Sequence, residues 1–348
     1  MKRIYTICVV VFLLLVPRVT HAADFTSIKT VFIIVFENHD WASVKSAPYF
    51  TTLLTQGAHA EQYFNPPHLH PSEPNYIWLE AGSNFGITND SDPTTNHIAS
   101  TAHLVTQLNN AGISWKAYQE DIPGTNCPLH GVNKFAPKHL GALFFEDVVG
   151  SPPSLTNAYC IQHVRPYTEL APDLTSNAVA KYNFITPNLC NDMHDCSVAT
   201  GDTWLSQELP KILASNAYKD NGAVFITFDE GAGSSDGPIG FIMLSPLAKK
   251  GYVNNVHYTH SSTLKTIQEI FGVTPLLGDA ANATDLADLF DFAASPNPTT
   301  TTIPVSVAPS ATPVLTGGAC SVLLGDANHD GKISLADYSV WRTAFMAK

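Results

Sequence analysis

At 348 residues, with 45% hydrophobic and only 14% charged side chains, the chain has the composition of a filled core and is neither a disordered polymer nor a coiled coil. That length suits one large domain with a small appendage. A formal charge of −12 excludes nucleic acid or an anionic membrane as a partner held through net charge.

Residues 1–22 read as a secretory signal. Lys2 and Arg3 start it, residues 4–16 are its apolar stretch, Pro17 breaks that stretch, and Thr20-His21-Ala22 is a small-residue cleavage site. The apolar stretch is short for a membrane span. Losing the signal removes Lys2, Arg3 and Arg18 and moves the formal charge from −12 to −15. The expected location is secreted, extracellular or periplasmic, with attachment to the cell surface as a variant. Disulfides are permitted there. Cys190 and Cys196 are close enough in sequence to clip a loop, Cys127 with Cys160 is the natural second pair, and Cys320 is left over. No two cysteines have C-x-x-C spacing, which argues against a zinc cluster.

In chain order, residues 30–36 (TVFIIVF) form a continuous β-branched and aromatic run, the pattern of a central strand buried on both faces. The run stops at Glu37-Asn38-His39-Asp40, and residues 47–56 read as a helix. Next comes His68-Leu69-His70-Pro71-Ser72-Glu73-Pro74-Asn75-Tyr76. Its two prolines predict that Ser72 sits in a non-helical turn. The apolar run 76–81 puts that turn at the mouth of a helix, whose amides and dipole favour an anion. A helix cap is the competing role for Ser72. Residues 99–110 predict a helix and 113–118 a strand; 182–186 is another short strand. A polar patch at 187–196 carries Asp192 and His194. Residues 204–216 read as a helix, with Asp202 as its cap. Residues 223–228 (AVFITF) are a second fully buried strand, ending in Asp229-Glu230. Residues 240–244 add a strand, and His260 precedes a helix at 263–271. This alternation predicts that 24–294 is an α/β domain with a mostly parallel sheet covered on both faces.

From 295 to 318 Pro, Thr, Ser, Val and Ala dominate, which makes a semi-stiff linker. In the final segment, 319–348, Asp326, Asn328, Asp330, Lys332 and Asp337 fall at loop positions one, three, five, seven and twelve, with Gly331 at six. That is the spacing of a Ca2+ loop, and a helix follows it.

Ligands bind beyond the carboxyl ends of parallel strands. If the two buried strands run the same way, Glu37, Asn38, Asp229 and Glu230 meet at one edge. Three clustered carboxylates repel one another unless a cation sits among them, and oxygen ligands point to a divalent ion. The competing reading is that each acidic pair caps a helix; two such pairs after two such strands favour the metal. His194 suits phosphate contact, leaving-group protonation or metal ligation, with Asp192 orienting it or joining the metal. Lys138-His139 follows a loop and supplies positive charge, and His260 is either a structural neighbour of its helix or part of the site. His59, His97, His103, His163 and His257 carry no motif and receive no role.

Taken in order, Glu37-Asn38-His39, the His70 to Tyr76 stretch, Lys138-His139, Pro187-Asn188-Leu189-Cys190-Asn191-Asp192-Met193-His194 and Phe228-Asp229-Glu230-Gly231 resemble the bacterial phosphoesterase family of secreted acid phosphatases and phospholipases C, within the alkaline phosphatase superfamily. The resemblance implies an alkaline-phosphatase-like three-layer α/β sandwich and a metal-assisted phosphoester hydrolase acting on a phosphorylated small molecule or lipid head group. Ser72 matches the nucleophile. Its Ser-x-Pro-Asn turn is similar to the Thr-x-Pro-Asn turn of nucleotide phosphodiesterases, which implies that Asn75 donates to a phosphoryl oxygen. Glu37, Asn38, Asp229 and Glu230 match the metal ligands, with Ser72 completing the shell. His139, His194 and His260 match residues that touch phosphate or assist the leaving group; Lys138, Asp192 and His70 fall on the same substrate side. The leading expectation is an acid phosphatase acting through a phosphoserine. A phospholipase C-type phosphodiesterase comes next, and a non-catalytic surface-attached binding protein last. A sulfatase is disfavoured, because Tyr76 stands where its Cys/Ser-x-Pro-x-Arg motif has arginine. The tail resembles one dockerin repeat where dockerins carry two, which implies a cohesin-like partner or pairing with a second copy.

Overall fold

The structure, a computed structural model, describes residues 25–294 apart from residue 234. The signal, the linker, Cys320 and the calcium-loop residues Asp326, Asn328, Asp330, Lys332 and Asp337 lie outside the described residues. Among the described residues no helix is long and apolar enough to cross a membrane.

Ten strands are present among the described residues: β1 (Thr30–Phe36), β2 (Ala58–Ala60), β3 (Tyr63–Phe64), β4 (Trp115–Gln119), β5 (Val164–Pro166), β6 (Tyr182–Thr186), β7 (Gly222–Phe228), β8 (Phe241–Leu244), β9 (Tyr252–Asn254) and β10 (Tyr258–Thr259). Eight make one sheet in the order β5-β4-β6-β1-β7-β8-β2-β9, while β3 and β10 pair separately. Only β8 runs antiparallel to its neighbours in the large sheet. Every residue of β1 and β7 is buried, so both faces of the sheet are covered, as continuous apolar strands require. Helices Ser72–Ala81, Leu104–Asn110 and His260–Phe271 pack on one another, and Pro48–Gln56 packs on Val198–Ala214. The β1–β7 register runs from Thr30 beside Gly222 to Phe36 beside Phe228. The two strands therefore end level, and Glu37 and Asp229 leave the sheet side by side.

Several element ends differ from expectation. Ser72 is the first residue of its helix, not part of a turn before it, and Pro71 holds the N-cap in extended backbone. Pro74 is tolerated in the first turn because amides there have no intrahelical carbonyl to bond. The long helix starts at Val198, where the Ser197 side chain accepts from the Thr200 N–H. Asp202 lies inside that helix and serves another one: its carboxylate accepts from the backbone N–H groups of Tyr49 and Phe50, each at 3.0 Å, at the start of Pro48–Gln56. The strands of two or three residues went unforeseen because they are too short to show a period.

The helix expected from residue 99 starts at Leu104 because His103 is held in extended backbone. Its ring is stacked on Phe145, with Nδ1 3.0 Å from Glu80 Oε1 and Nε2 2.8 Å from Asp147 Oδ1. Burial pulls the imidazole pKa down, but the bonds to Asp147 and Glu80 outweigh it and raise it to about 8. A folded-state pKa above the ordinary value stabilises the fold fully below that ordinary value, and the contribution is lost as pH rises through the folded one. Denaturant unfolding should therefore show a loss of roughly 2 kcal/mol between about pH 6 and about pH 9, and His103→Gln should flatten that dependence.

Candidate active site

Hydrogen bonds lock together the ends of β1 and β7. The Asp229 N–H donates to the Phe36 carbonyl at 2.9 Å, and the Asn38 N–H donates to Asp229 Oδ1 at 3.0 Å. Asn38 takes a φ of +42°, a left-handed conformation that asparagine tolerates better than most residues. The Glu37 N–H donates to the Asp192 carbonyl at 2.9 Å, which draws the 187–196 segment over the same strand end.

Ser72 enters this edge from the start of its helix. It is buried, and its Oγ donates to Glu37 Oε2 at 2.9 Å and lies 3.4 Å from Asn38 Oδ1. Its hydroxyl therefore points into the acidic cluster and does not cap the helix. One helical turn on, the Tyr76 hydroxyl donates to Glu37 Oε1 at 2.5 Å. His139 stacks on Tyr76, with Nε2 3.3 Å from Glu37 Oε2 and Nδ1 3.3 Å from Asp192 Oδ2. Gly141 permits this approach, since a Cβ there would lie 2.2 Å from the Tyr76 carbonyl oxygen. His194 is exposed at the rim; its N–H donates to Asp192 Oδ1 at 2.8 Å and its Nδ1 lies 2.7 Å from Asp195 Oδ1. The Cys190–Cys196 disulfide closes this loop, and Cys127–Cys160 is the other bridge among the described residues, with Cα separations of 4.7 and 5.4 Å.

Other expected site residues are present but turned to different partners. Asn75 Nδ2 donates to the Leu69 carbonyl (2.8 Å), the Pro71 carbonyl (3.2 Å) and Glu230 Oε2 (3.0 Å). Its donors are thus engaged by the chain itself, in place of the phosphoryl oxygen expected for them. His70 bridges Glu230 Oε2 at 2.7 Å and Asp236 Oδ1 at 3.2 Å. His260 lies 2.6 Å from the Asp229 carbonyl and 3.2 Å from the Tyr63 hydroxyl. Burial lowers its pKa to about 4, so it is a neutral brace for the end of β7. Lys138 Nζ donates to Asp90 Oδ2 at 2.6 Å. Sequence reasoning gave no role to Tyr76, Asp90 or Asp195. For Tyr76 a signal existed, because four residues after Ser72 is the same helix face.

Burial pushes the Glu37 carboxyl well up, and repulsion from Asp229 and Asp192 adds to it. Burial likewise raises Asp229 and Asp192, and Glu230 further still with the charge of Asp229 beside it. Four such groups cannot all ionise without a counter-charge. Three buried polar atoms of these site residues, Asn75 Oδ1, His139 Nε2 and Asp192 Oδ2, have no hydrogen-bond partner. The Asn38 amide can turn its nitrogen toward Glu37 Oε2 (2.9 Å) and Asp229 Oδ1 (3.2 Å) or present its oxygen as a further ligand. Glu37, His139 and His194 also offer ligand atoms within 4.8 Å of one another. The donor set fits a divalent cation.

The chain matches the Phosphoesterase family over residues 41–274. It is 32% identical over 279 residues to a phosphatidylinositol-3-phosphatase of Mycobacterium tuberculosis, covering 79% of this chain and 87% of that one. It is 29% identical over 255 residues to a phosphate-repressible acid phosphatase of Penicillium chrysogenum, covering 70% of this chain and 59% of that one. Phospholipase C B of Mycobacterium tuberculosis is 25% identical over 232 residues, with 55% of this chain and 43% of that one covered. Human ectonucleotide pyrophosphatase/phosphodiesterase 5 shares the fold at a TM-score of 0.50 and 13% identity, over 75% of this chain and 100% of that one. The architecture is an α/β fold with a large, mostly parallel sheet covered on both faces. The chain belongs to the phosphoesterase family and is a hydrolase of phosphoric ester bonds.

Proposed function

We propose that the chain is a secreted, metal-assisted phosphomonoesterase of the acid phosphatase type, working through a phosphoserine at Ser72. The observation that carries this reading is the buried Ser72 hydroxyl held 2.9 Å from Glu37 within the carboxylate cluster. Glu37, Asn38, Asp229 and Glu230 are the proposed holders of a divalent cation. When bound, the cation offsets the carboxylate charge, lowers the pKa of the serine hydroxyl and polarises a phosphoryl oxygen. Ser72 Oγ, oriented by its bond to Glu37 Oε2, attacks phosphorus in line and gives up its proton to water. As the Oγ–P bond forms, the bond from phosphorus to the ester oxygen breaks. His194 gives that departing oxygen a proton. Water then cleaves the phosphoserine and releases phosphate. A histidine acid works best in mildly acidic medium, so the optimum lies there. Lys138 supplies positive charge to the equatorial oxygens, and His139, whose burial holds its imidazole well below the usual histidine range, supplies a neutral ring N–H. Residues 319–348 take Ca2+ and dock a cohesin-like partner or a second copy.

The relatives named as phosphatidylinositol-3-phosphatase and acid phosphatase support the monoester preference. Side-by-side assays of an aryl phosphomonoester and phosphatidylcholine test it. The monoester should turn over faster by about a hundredfold or more, a margin of ~3 kcal/mol in the transition state. Faster cleavage of phosphatidylcholine would make the chain a phospholipase C-type enzyme. No hydrolysis of either with divalent cations supplied would leave only the binding-protein reading.

A further inference from the structure

Helix Ser72–Ala81 starts without a cap of its own. Pro71, at the N-cap, has no side-chain acceptor, and Pro74 has no N–H. The Glu73 N–H donates instead to Asp90 Oδ1 at 3.1 Å, from a segment 17 residues further along the chain. In return the Glu73 carboxylate, itself buried, accepts from the Ser91 N–H at 2.5 Å and from Asn96 Nδ2 at 2.8 Å. This is the reciprocal exchange of a capping box, made between two separate stretches of chain.

The second oxygen of Asp90 is also in use. Oδ2 accepts from Lys138 Nζ at 2.6 Å, and Lys138 directly precedes His139, whose Nε2 faces Glu37. One carboxylate thus grips both the helix that carries Ser72 and the ammonium beside the acidic cluster. The Asp90–Lys138 pair is part-exposed, and ion pairs of that kind add little stability. Its consequence lies in placement. Among the described residues Asp90 is the ion-pair partner of Lys138, so an ammonium released from it is no longer held at the rim.

We propose that Asp90 is a positioning residue for phosphoryl transfer: through the Glu73 N–H it sets the first turn of the Ser72 helix, and through Lys138 Nζ it keeps the ammonium at the rim, where it meets the substrate. This rests on the reading of Ser72 as nucleophile. Asp90→Asn keeps the Oδ1 acceptor for Glu73 but loses the charge that holds Lys138. Asp90→Ala loses both.

The test is steady-state kinetics of both variants on the phosphoester the wild type cleaves, with inorganic phosphate as competitive inhibitor and thermal unfolding as the check on folding. Asp90→Asn should raise KM and the phosphate inhibition constant about tenfold with kcat within about threefold, and Asp90→Ala should also lower kcat about tenfold or more. A purely structural role would lower the melting temperature without splitting KM from kcat. Either that pattern, or constants within about twofold of wild type in both variants, overturns the proposal. Ser72→Ala measured alongside separates the two levels. Lost turnover there with unaltered Asp90 variants overturns this inference alone, whereas retained turnover in Ser72→Ala overturns the nucleophile reading and this inference with it.

Discussion

Ser72→Ala is expected to lower kcat by roughly a thousandfold or more, at least ~4 kcal/mol in the barrier, while the protein stays folded. Among the described residues at this edge, no other hydroxyl is poised in the same way: the Tyr76 hydroxyl donates to the far oxygen of Glu37, and burial together with that carboxylate keeps the phenol protonated. Folding should survive because Glu37 keeps Tyr76 and His139 as neighbours. Alanine is also a good helix former. The loss is one buried hydrogen bond, about 1 kcal/mol. Circular dichroism and kcat on one preparation check both halves of this expectation.

Removing divalent cations should reduce activity by roughly a hundredfold or more, given what such an ion contributes to charge stabilisation and to generating the nucleophile. Glu37, Asp229, Glu230 and Asp192 would then face one another without counter-charge and would take up protons to relieve the repulsion. Thermal stability should fall in parallel, since a ligand at about a thousand times its dissociation constant stabilises the folded state by about 4 kcal/mol. Activity, melting temperature and metal content tracked together through chelation and add-back give the check. Full activity in a sample from which the metal is gone would remove the cation from the chemistry.

The parts of the fold legible in the sequence were those written as long runs. TVFIIVF and AVFITF are too apolar to face water on either side, and both are central strands of the sheet. Their level ends result from pairing in parallel register, which is why the convergence of Glu37, Asn38 and Asp229 could be anticipated. Strand direction leaves no trace in hydropathy, so nothing marked 241–244 as the antiparallel member. The Pro71–Pro74 pair reads as a turn, yet a helix accepts proline in its first turn, and that is where Ser72 lies. Partner choice was the least legible feature. Asn75 and His70 reach Glu230 across 155 and 160 residues, and His260 reaches Tyr63 across 197. Which acceptor meets each donor is decided by how loops pack, and no local spacing encodes that.

The most direct measurement is to acid-quench the enzyme during turnover of an aryl phosphomonoester and map the phosphorylated peptide by mass spectrometry. The expected result is a phosphoryl group on Ser72 that is absent from Ser72→Ala. Ser72 unmodified throughout turnover in the acid-quenched samples, with a phosphoryl group on His139 or His194 in samples quenched in alkali, where phosphohistidine survives, would contradict it.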